Sequence, residues 1–328
     1  MRGDSRRLWA EVRGHWVALF GIVGVVALVI AVNPVKVVRA LAGADIRLLA
    51  LMLPVALLLY LLHGVAWSIV LRAAHAQVGL PQAIRVTFIS QALVFLPGGD
   101  LWRVPIVKSE EREAPEPGAI AATVVFDDLV YLFVLTFAMV PVVFGSTFLL
   151  VPLAIALLPQ LAIFTILLWP SLYDLLAGPV GRIKVFRRFQ PEIDVLGPSF
   201  RQLVSVRTLV PVVTVDALCA GLSVALYGVG LAAVHAIGVS VQQVAFTYAG
   251  SQVVSGLTVM PGALGAYEGM MTGAMALQGV VPAAAAAGAL LYRAVNDVFM
   301  ALIGIGIALI YDRQYVKNLV SPAQPAPF

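Results

Sequence analysis

Apolar stretches of about 20 residues recur along this chain. Two are cut short by a Pro-Gly break followed by ionisable residues: Phe95-Leu96-Pro97-Gly98-Gly99-Asp100-Leu101-Trp102-Arg103 and Val259-Met260-Pro261-Gly262-Ala263-Leu264-Gly265-Ala266-Tyr267-Glu268. An apolar stretch of that length matches the ~30 Å hydrocarbon core of a bilayer. Hydrocarbon supplies no hydrogen bonds, so backbone broken at membrane depth is stable only where protein or water satisfies the freed N–H and C=O groups. Each break is therefore expected to line a polar cavity, with Pro97, Gly98, Gly99, Pro261, Gly262 and Gly265 forming its loops.

Composition gives the same class: 61% of residues are hydrophobic and only 12% are charged. The apolar segments are continuous and do not alternate with period two, which excludes a β-barrel. The expected fold is an all-α polytopic membrane bundle of about six spanning helices plus two re-entrant helical hairpins in inverted repeats. The single cysteine, Cys219, excludes a disulfide framework and a cysteine-based metal site within one chain. Net charge is +4 and the pI near 9.3, but the basic residues flank apolar segments and read as orientation signals, not as a nucleic-acid surface. No Gly-Lys-Ser/Thr follows the glycine pairs, and His-Glu-x-x-His and Gly-x-Ser-x-Gly patterns are absent, so no cofactor, metal or ATPase activity is expected.

The chain divides into five parts. Residues 1–47 carry a basic flank (Arg2, Arg6, Arg7, Arg13) and a first membrane helix from about Trp16 to Val32, followed by a short loop holding Lys36, Arg39 and Asp45. Residues 48–146 form a first repeat. Its half-helix, Val86 to Leu96, is about 16 Å long, half a bilayer. The chain then returns through Leu101 to Val107 into a charged turn at 108–113. Residues 147–207 comprise a spanning helix and a basic stretch, read either as amphipathic helix on an anionic leaflet or as a plain cytoplasmic loop. Residues 208–312 form a second repeat with its own half-helix, Val244 to Met260, and residues 313–328 are an expected disordered tail. Basic-loop asymmetry puts both termini and the 171–207 stretch in the cytoplasm. The two breaks then enter from opposite faces, as inverted repeats around a midplane site require.

Intramembrane charge costs roughly 2.5 to 3.5 kcal/mol per residue on insertion scales, which marks Asp100, Arg103, Asp127, Asp128, Glu268, Arg293, Asn296 and Asp297 as candidate substrate-binding residues. Arg293, Asn296 and Asp297 fall on one helical face and can satisfy one another. Asp127 and Asp128 point about 100° apart and need different partners. Gln91 and Gln252 join the set because Ser90-Gln91 precedes Pro97 much as Ser251-Gln252 precedes Pro261. The competing reading is an internal network of ion pairs, Arg103 with Asp127 or Arg293 with Asp297. His63 and His235 read as packing residues, and Gly21-Gly24, Gly228-Gly230 and Gly304-Gly306 as sites of close helix approach.

The run from Leu96 to Arg103, the run from Pro261 to Glu268 and Tyr292-Arg293 together resemble the membrane domain of lysylphosphatidylglycerol synthases, a flippase-like family, over about Leu48 to Ile310. The resemblance implies a bacterial or archaeal inner-membrane protein that moves lipids or lipid-linked groups between leaflets. Where that family often carries a Glu-Arg pair followed by Asp, this chain has Val125-Phe126-Asp127-Asp128-Leu129, which leaves the substrate's charge open. Nothing after Tyr311 would fold into the family's soluble aminoacyl-transferase domain, so lysylphosphatidylglycerol synthesis is not expected.

The expected function is translocation of a charged lipid or lipid-linked head group, with Arg103 and Arg293 meeting an anionic group. The carboxylates would orient them or bind a cationic part. The expected partners are membrane lipids, an anionic phospholipid or a lipid-linked head group, with a separately encoded transferase as a further candidate. The rivals are a lipid-modifying enzyme with a carboxylate cluster and a divalent cation, and a non-catalytic partner of a separately encoded transferase. Topology is checked by single cysteines at Ser199 and Gly279 in a Cys219→Ala background, treated with an impermeant thiol reagent on intact cells. Labelling is expected at 279 and not at 199.

Overall fold

A computed structural model describes residues 23, 25–94, 99–110, 115–143, 150–183, 187–257 and 263–311. Among these, every regular element is helical. The basic flank, the tail at 313–328, and Pro97, Gly98, Pro261 and Gly262 lie outside the described residues.

Among the described residues, four helices are long and apolar enough to cross a membrane: α3 (Ile46–Ala73), α6 (Pro117–Val143, its spanning part ending at Val140), α10 (Val206–Ala233) and the run Pro282–Tyr311. The count reaches six if each of two bent pairs is one span. These are α1 (Val25–Ala31) with α2 (Pro34–Ala42), bent by 97°, and α7 (Leu150–Leu168) with α8 (Pro170–Arg182), bent by 98°. A proline at the first turn explains both bends, because it starts a helix readily and cannot continue one. Lys36 and Arg39 therefore lie in helix α2, not in the short loop expected from their charge. The expected charged turn is also partly helical, since α5 (Arg103–Glu110) takes in Lys108 and Ser109.

The scaffold is the pairing of α3 with α10, both 28 residues long. The Asp45 N–H, just before α3, donates to the carbonyl of Ala233 at the end of α10 (2.9 Å). At the other end, Val70 and Val212 share one apolar cluster with Phe126 and Phe200. The two helices are thus antiparallel. The elements that follow each of them correspond in order: α4 (Leu80–Gln91), α5 and α6 after α3, and α11 (Val241–Leu257), α12 (Ala266–Leu277) and the run Pro282–Tyr311 after α10. Their neighbours correspond too. Helix α4 packs on α14 (Met300–Tyr311), as α11 packs on α6. At 12 residues α4 is about 18 Å long and at 17 residues α11 is about 25 Å, so the second half-helix exceeds half a bilayer.

The run Pro282–Tyr311 comprises α13 (Pro282–Arg293), a π-helical turn at Ala294–Phe299 and α14. The basic stretch after α7 folds as α8 and α9 (Gln190–Leu203). Helix α9 buries Phe200 against Phe126 and Phe164, at ring-centroid distances of 5.5 and 5.8 Å, while α8 leaves Leu175, Leu176 and Val180 exposed. Half of the stretch is therefore docked on protein, while α8 leaves apolar side chains exposed.

Of the glycines singled out for close approach, Gly304 is the tightest, because a Cβ there would sit 2.2 Å from the Phe88 carbonyl oxygen. Gly230 is also close-packed, whereas Gly306 faces open space; Gly21 and Gly24 lie outside the described residues. Backbone cannot move aside as a side chain does. Gly304→Ala is expected to cost about 1–3 kcal/mol by overpacking and to lower the melting temperature in detergent. Gly306→Ala should leave it unchanged or slightly raised.

Candidate functional site

Two arginine clamps dominate the interior. In the first, Arg103 begins α5 and is 4% exposed. Its Nη2 donates to Asp100 Oδ1 at 2.8 Å and its Nη1 to Asp127 Oδ2 at 3.4 Å, with the guanidinium 5.2 Å above the Trp67 ring. Trp67 is itself fixed by donation from its indole N–H to Thr123 Oγ1 at 3.0 Å. In the second clamp, Arg293 Nε donates to Glu268 Oε1 at 2.8 Å, Nη1 pairs with Asp297, and the guanidinium lies 5.0 Å over Tyr267. Asn296 Nδ2 donates to Asp297 Oδ1 at 2.8 Å.

Each clamp ties a return helix to the long helix that follows it, with the signs exchanged. In the first half the return helix carries the arginine and α6 the carboxylate. In the second, α12 carries Glu268, and Arg293 ends α13. Local chain chemistry sets both. The 3-10 turn Gly99–Trp102 places Asp100 beside Arg103. Gly265, at φ 82°, takes a conformation that costs other residues energy, and its N–H donates to Glu268 Oε2 at 2.7 Å. Glu268 thereby uses one oxygen to cap its own helix and the other to hold Arg293.

Between the clamps runs a seam of tyrosines. Tyr60 Oη on α3 lies 3.1 Å from Gln91 Oε1 at the end of α4 and 3.2 Å from the carbonyl of Asn296 in the π turn. Its charged neighbours include Asp100 and Arg103 from one half and Asp297 from the other. The His63 ring meets Tyr131 edge-on at 4.9 Å. Tyr248 Oη accepts from Gln252 Nε2 (2.6 Å) and from Tyr292 Oη (3.1 Å). With both lone pairs used, its own proton goes to Tyr131 Oη at 3.3 Å, and Tyr131 in turn donates to Ser223 Oγ at 3.0 Å. Tyr267 stacks on Tyr292 and closes the path to Arg293.

The structure thus draws Asp100, Arg103, Asp127, Glu268, Arg293, Asn296 and Asp297 into two clamps and puts Gln91 and Gln252 in the seam that joins them. The arginines, expected to meet a head group directly, are each held by two carboxylates. Asp128 is half-buried, makes no hydrogen bond or ion pair among the described residues, and has Asp100, Arg103 and Asp127 as its charged neighbours. Sequence reasoning did not single out Tyr60, Tyr131, Tyr248 or Tyr292. The available signal was a polar tip recurring inside apolar runs, but tyrosine is as common where a helix leaves the bilayer.

The chain matches the family model described as the lysylphosphatidylglycerol synthase TM region over residues 16–304. No curated protein matches the chain.

Removing Arg103 would strand the buried Asp127 carboxylate, so Arg103→Ala is expected to cost about 3–5 kcal/mol. It should unfold at a clearly lower temperature in detergent. Pairing Arg103→Met with Asp127→Leu should recover much of the loss, because the uncompensated charge goes with its partner.

Proposed function

The chain belongs to the lysylphosphatidylglycerol synthase transmembrane family, a multi-pass membrane family related to lipid modification or transport, and from that membership we propose that it moves a charged lipid head group between leaflets along the tyrosine seam. The observation that carries this reading is a row of polar side chains between the two clamps, with Ser223, Tyr131, Tyr248 and Tyr292 linked by hydrogen bonds, Tyr267 joining Tyr292 to Arg293, and Tyr60 bonded to Gln91 and the Asn296 carbonyl, inside a bundle whose outer faces are apolar. Several polar atoms on or beside the path have no hydrogen-bond partner among the described residues, including Arg103 Nε, Asp127 Oδ1 and Asn296 Oδ1. Such atoms are expensive in an apolar interior unless something polar reaches them. A passing head group and its waters would do so.

Charge selects the head group. Among the described residues the clamp region holds Arg103 and Arg293 with six carboxylates: Asp100, Asp127, Asp128, Asp216, Glu268 and Asp297. An excess of acid with both guanidinium groups already held favours a head group carrying an amine, and disfavours a purely anionic one. Among the described residues Asp128 and Asp216 have no ion-pair partner; Asp128, half-buried beside the Arg103 clamp, is assigned to meet that amine.

The antiparallel α3–α10 pair supports alternating access. Each half presents a return helix clamped to a long helix, and rocking one half against the other would open the seam to each leaflet in turn. The proposed setting is a bacterial or archaeal inner membrane with both termini cytoplasmic, and the proposed action breaks no covalent bond. The clamps stay closed during transport and the tyrosines trade partners, since breaking a buried ion pair costs more than exchanging neutral hydrogen bonds.

In proteoliposomes holding a fluorescent lipid with an amine head group, the protein is expected to expose inner-leaflet lipid to a membrane-impermeant quencher. Asp128→Asn should slow this at least tenfold while the melting temperature holds. Equal rates for the wild type and Asp128→Asn, or faster movement of a purely anionic lipid, would overturn the assignment.

A further inference from the structure

Asp216 has no part in the clamps or in the hydrogen-bonded seam. It is fully buried on α10, and neither of its carboxylate oxygens has a hydrogen-bond partner among the described residues. Cys219, three residues on and also fully buried, carries a free thiol on the same face of that helix. Facing them from α3 is His63. One donor atom from each of the three side chains lies within 4.8 Å of the other two.

The scaffold explains why they meet. Two antiparallel helices of 28 residues, joined end to end by Asp45 and Ala233, bring residues equidistant from their midpoints to one level. The midpoints fall at 59–60 and 219–220, so His63 is level with Asp216, about 5 Å from the centre of the pair, and Cys219 is at the centre itself.

We propose that His63, Asp216 and Cys219 form a binding site for one divalent transition-metal ion of the zinc type, joining α3 to α10. Imidazole, carboxylate and thiolate are the ligand types that such ions take. Tetrahedral coordination with bonds of about 2.0–2.3 Å puts ligand atoms some 3.3–3.8 Å apart, so closing the site needs side-chain shifts of about 1 Å and no movement of backbone. The fourth position goes to water. Charge agrees: a divalent cation with one carboxylate, one thiolate and a neutral imidazole is uncharged overall, the form that an apolar interior tolerates best. The charged neighbours also suit a cation. Asp127 and Asp128 flank Asp216, and Arg103, the nearby cation, is occupied by Asp100 and Asp127. Binding releases the thiol proton to solvent, and no redox change is involved. A single cysteine rules out a cysteine cluster but not a mixed site of this kind, whose members lie far apart in sequence.

The test uses tag-free, full-length protein in detergent, stripped with chelator and titrated with Co2+ and separately with Zn2+. One ion per chain is expected, with a thiolate-to-cobalt charge-transfer band in the near ultraviolet that zinc displaces. Zinc should also raise the melting temperature. Cys219→Ser should abolish the band. His63→Gln and Asp216→Asn should each weaken Co2+ binding at least tenfold, while His235→Gln, at a histidine elsewhere, should not. Should one variant fail to fold, the other two and the absorption band still decide. Substoichiometric binding, or stoichiometric binding without the thiolate band and unchanged in the variants that fold, would overturn the site and leave Asp216 as a buried neutral acid.

Discussion

A guanidinium inside a membrane bundle persists only against carboxylates, and much else in this structure follows from satisfying two of them. An apolar interior does not solvate a lone charge, so neither partner can be removed without stranding the other. Arg103 and Arg293 accordingly fix the positions of the elements that carry their acids. The first decides how α5 leaves the 3-10 turn and where α6 passes. The second holds the start of α12 against the end of α13. Because Glu268 also caps α12 through Gly265, the electrostatic tie and the helix start cannot be separated. The two return helices therefore behave as fixed walls, and the freedom left to the interior is in the neutral tyrosines between them.

That division has a functional sense. Tyrosine hydroxyls donate and accept, and they exchange partners at a cost of about 1 kcal/mol, whereas separating a buried ion pair costs several times more. A polar path made of ion pairs would bind a head group and keep it. A path made of hydroxyls between two fixed charges can hand it on. The π turn at Ala294–Phe299 fits the same scheme, since its irregular backbone presents the Asn296 carbonyl to Tyr60 and so joins the second half to α3.

Much of the architecture was legible in the sequence. Apolar windows at about Leu48 to Leu71, Ala119 to Phe144, Leu209 to Val234 and Ala283 to Ile310 mark α3, α6, α10 and the last long helix in the sequence itself, and the two Pro-Gly breaks follow the ends of α4 and α11. The ionisable residues beside those breaks do meet. What was not legible has physical causes. A right-angle turn at Asn33–Pro34 or Trp169–Pro170 and a proline-started straight helix share one local signature, and only tertiary packing separates them. The π turn is hidden because Arg293, Asn296 and Asp297 satisfy the spacing of an ordinary helix equally well. The sign reversal between the clamps could not be read, since each charge is costly alone and only the fold shows which acid neutralises which base. The tyrosine seam depends on residues from α3, α6, α11 and α13, each unremarkable in its own helix.

The acid excess carries the functional reading furthest. Had the interior held as many arginines as acids, the site would suit a phosphate and water equally well, and the seam would say little about its cargo. With two arginines against six carboxylates among the described residues around the clamps, electrical balance there has to come from bound cations, from protons or from a positively charged cargo. A metal joining α3 to α10 would account for part of that imbalance at the centre of the bundle, leaving Asp128 on α6 for the cargo. These two demands are separable in chemistry. The metal ligands lie on the central helix pair and include a thiol, whereas Asp128 is on α6 among oxygen donors that suit an amine. Because the His63 ring meets both Tyr60 and Tyr131, a metal there would be a fixed cross-link lying against the tyrosine path, holding α3 to α10 while the hydroxyls beside it exchange partners.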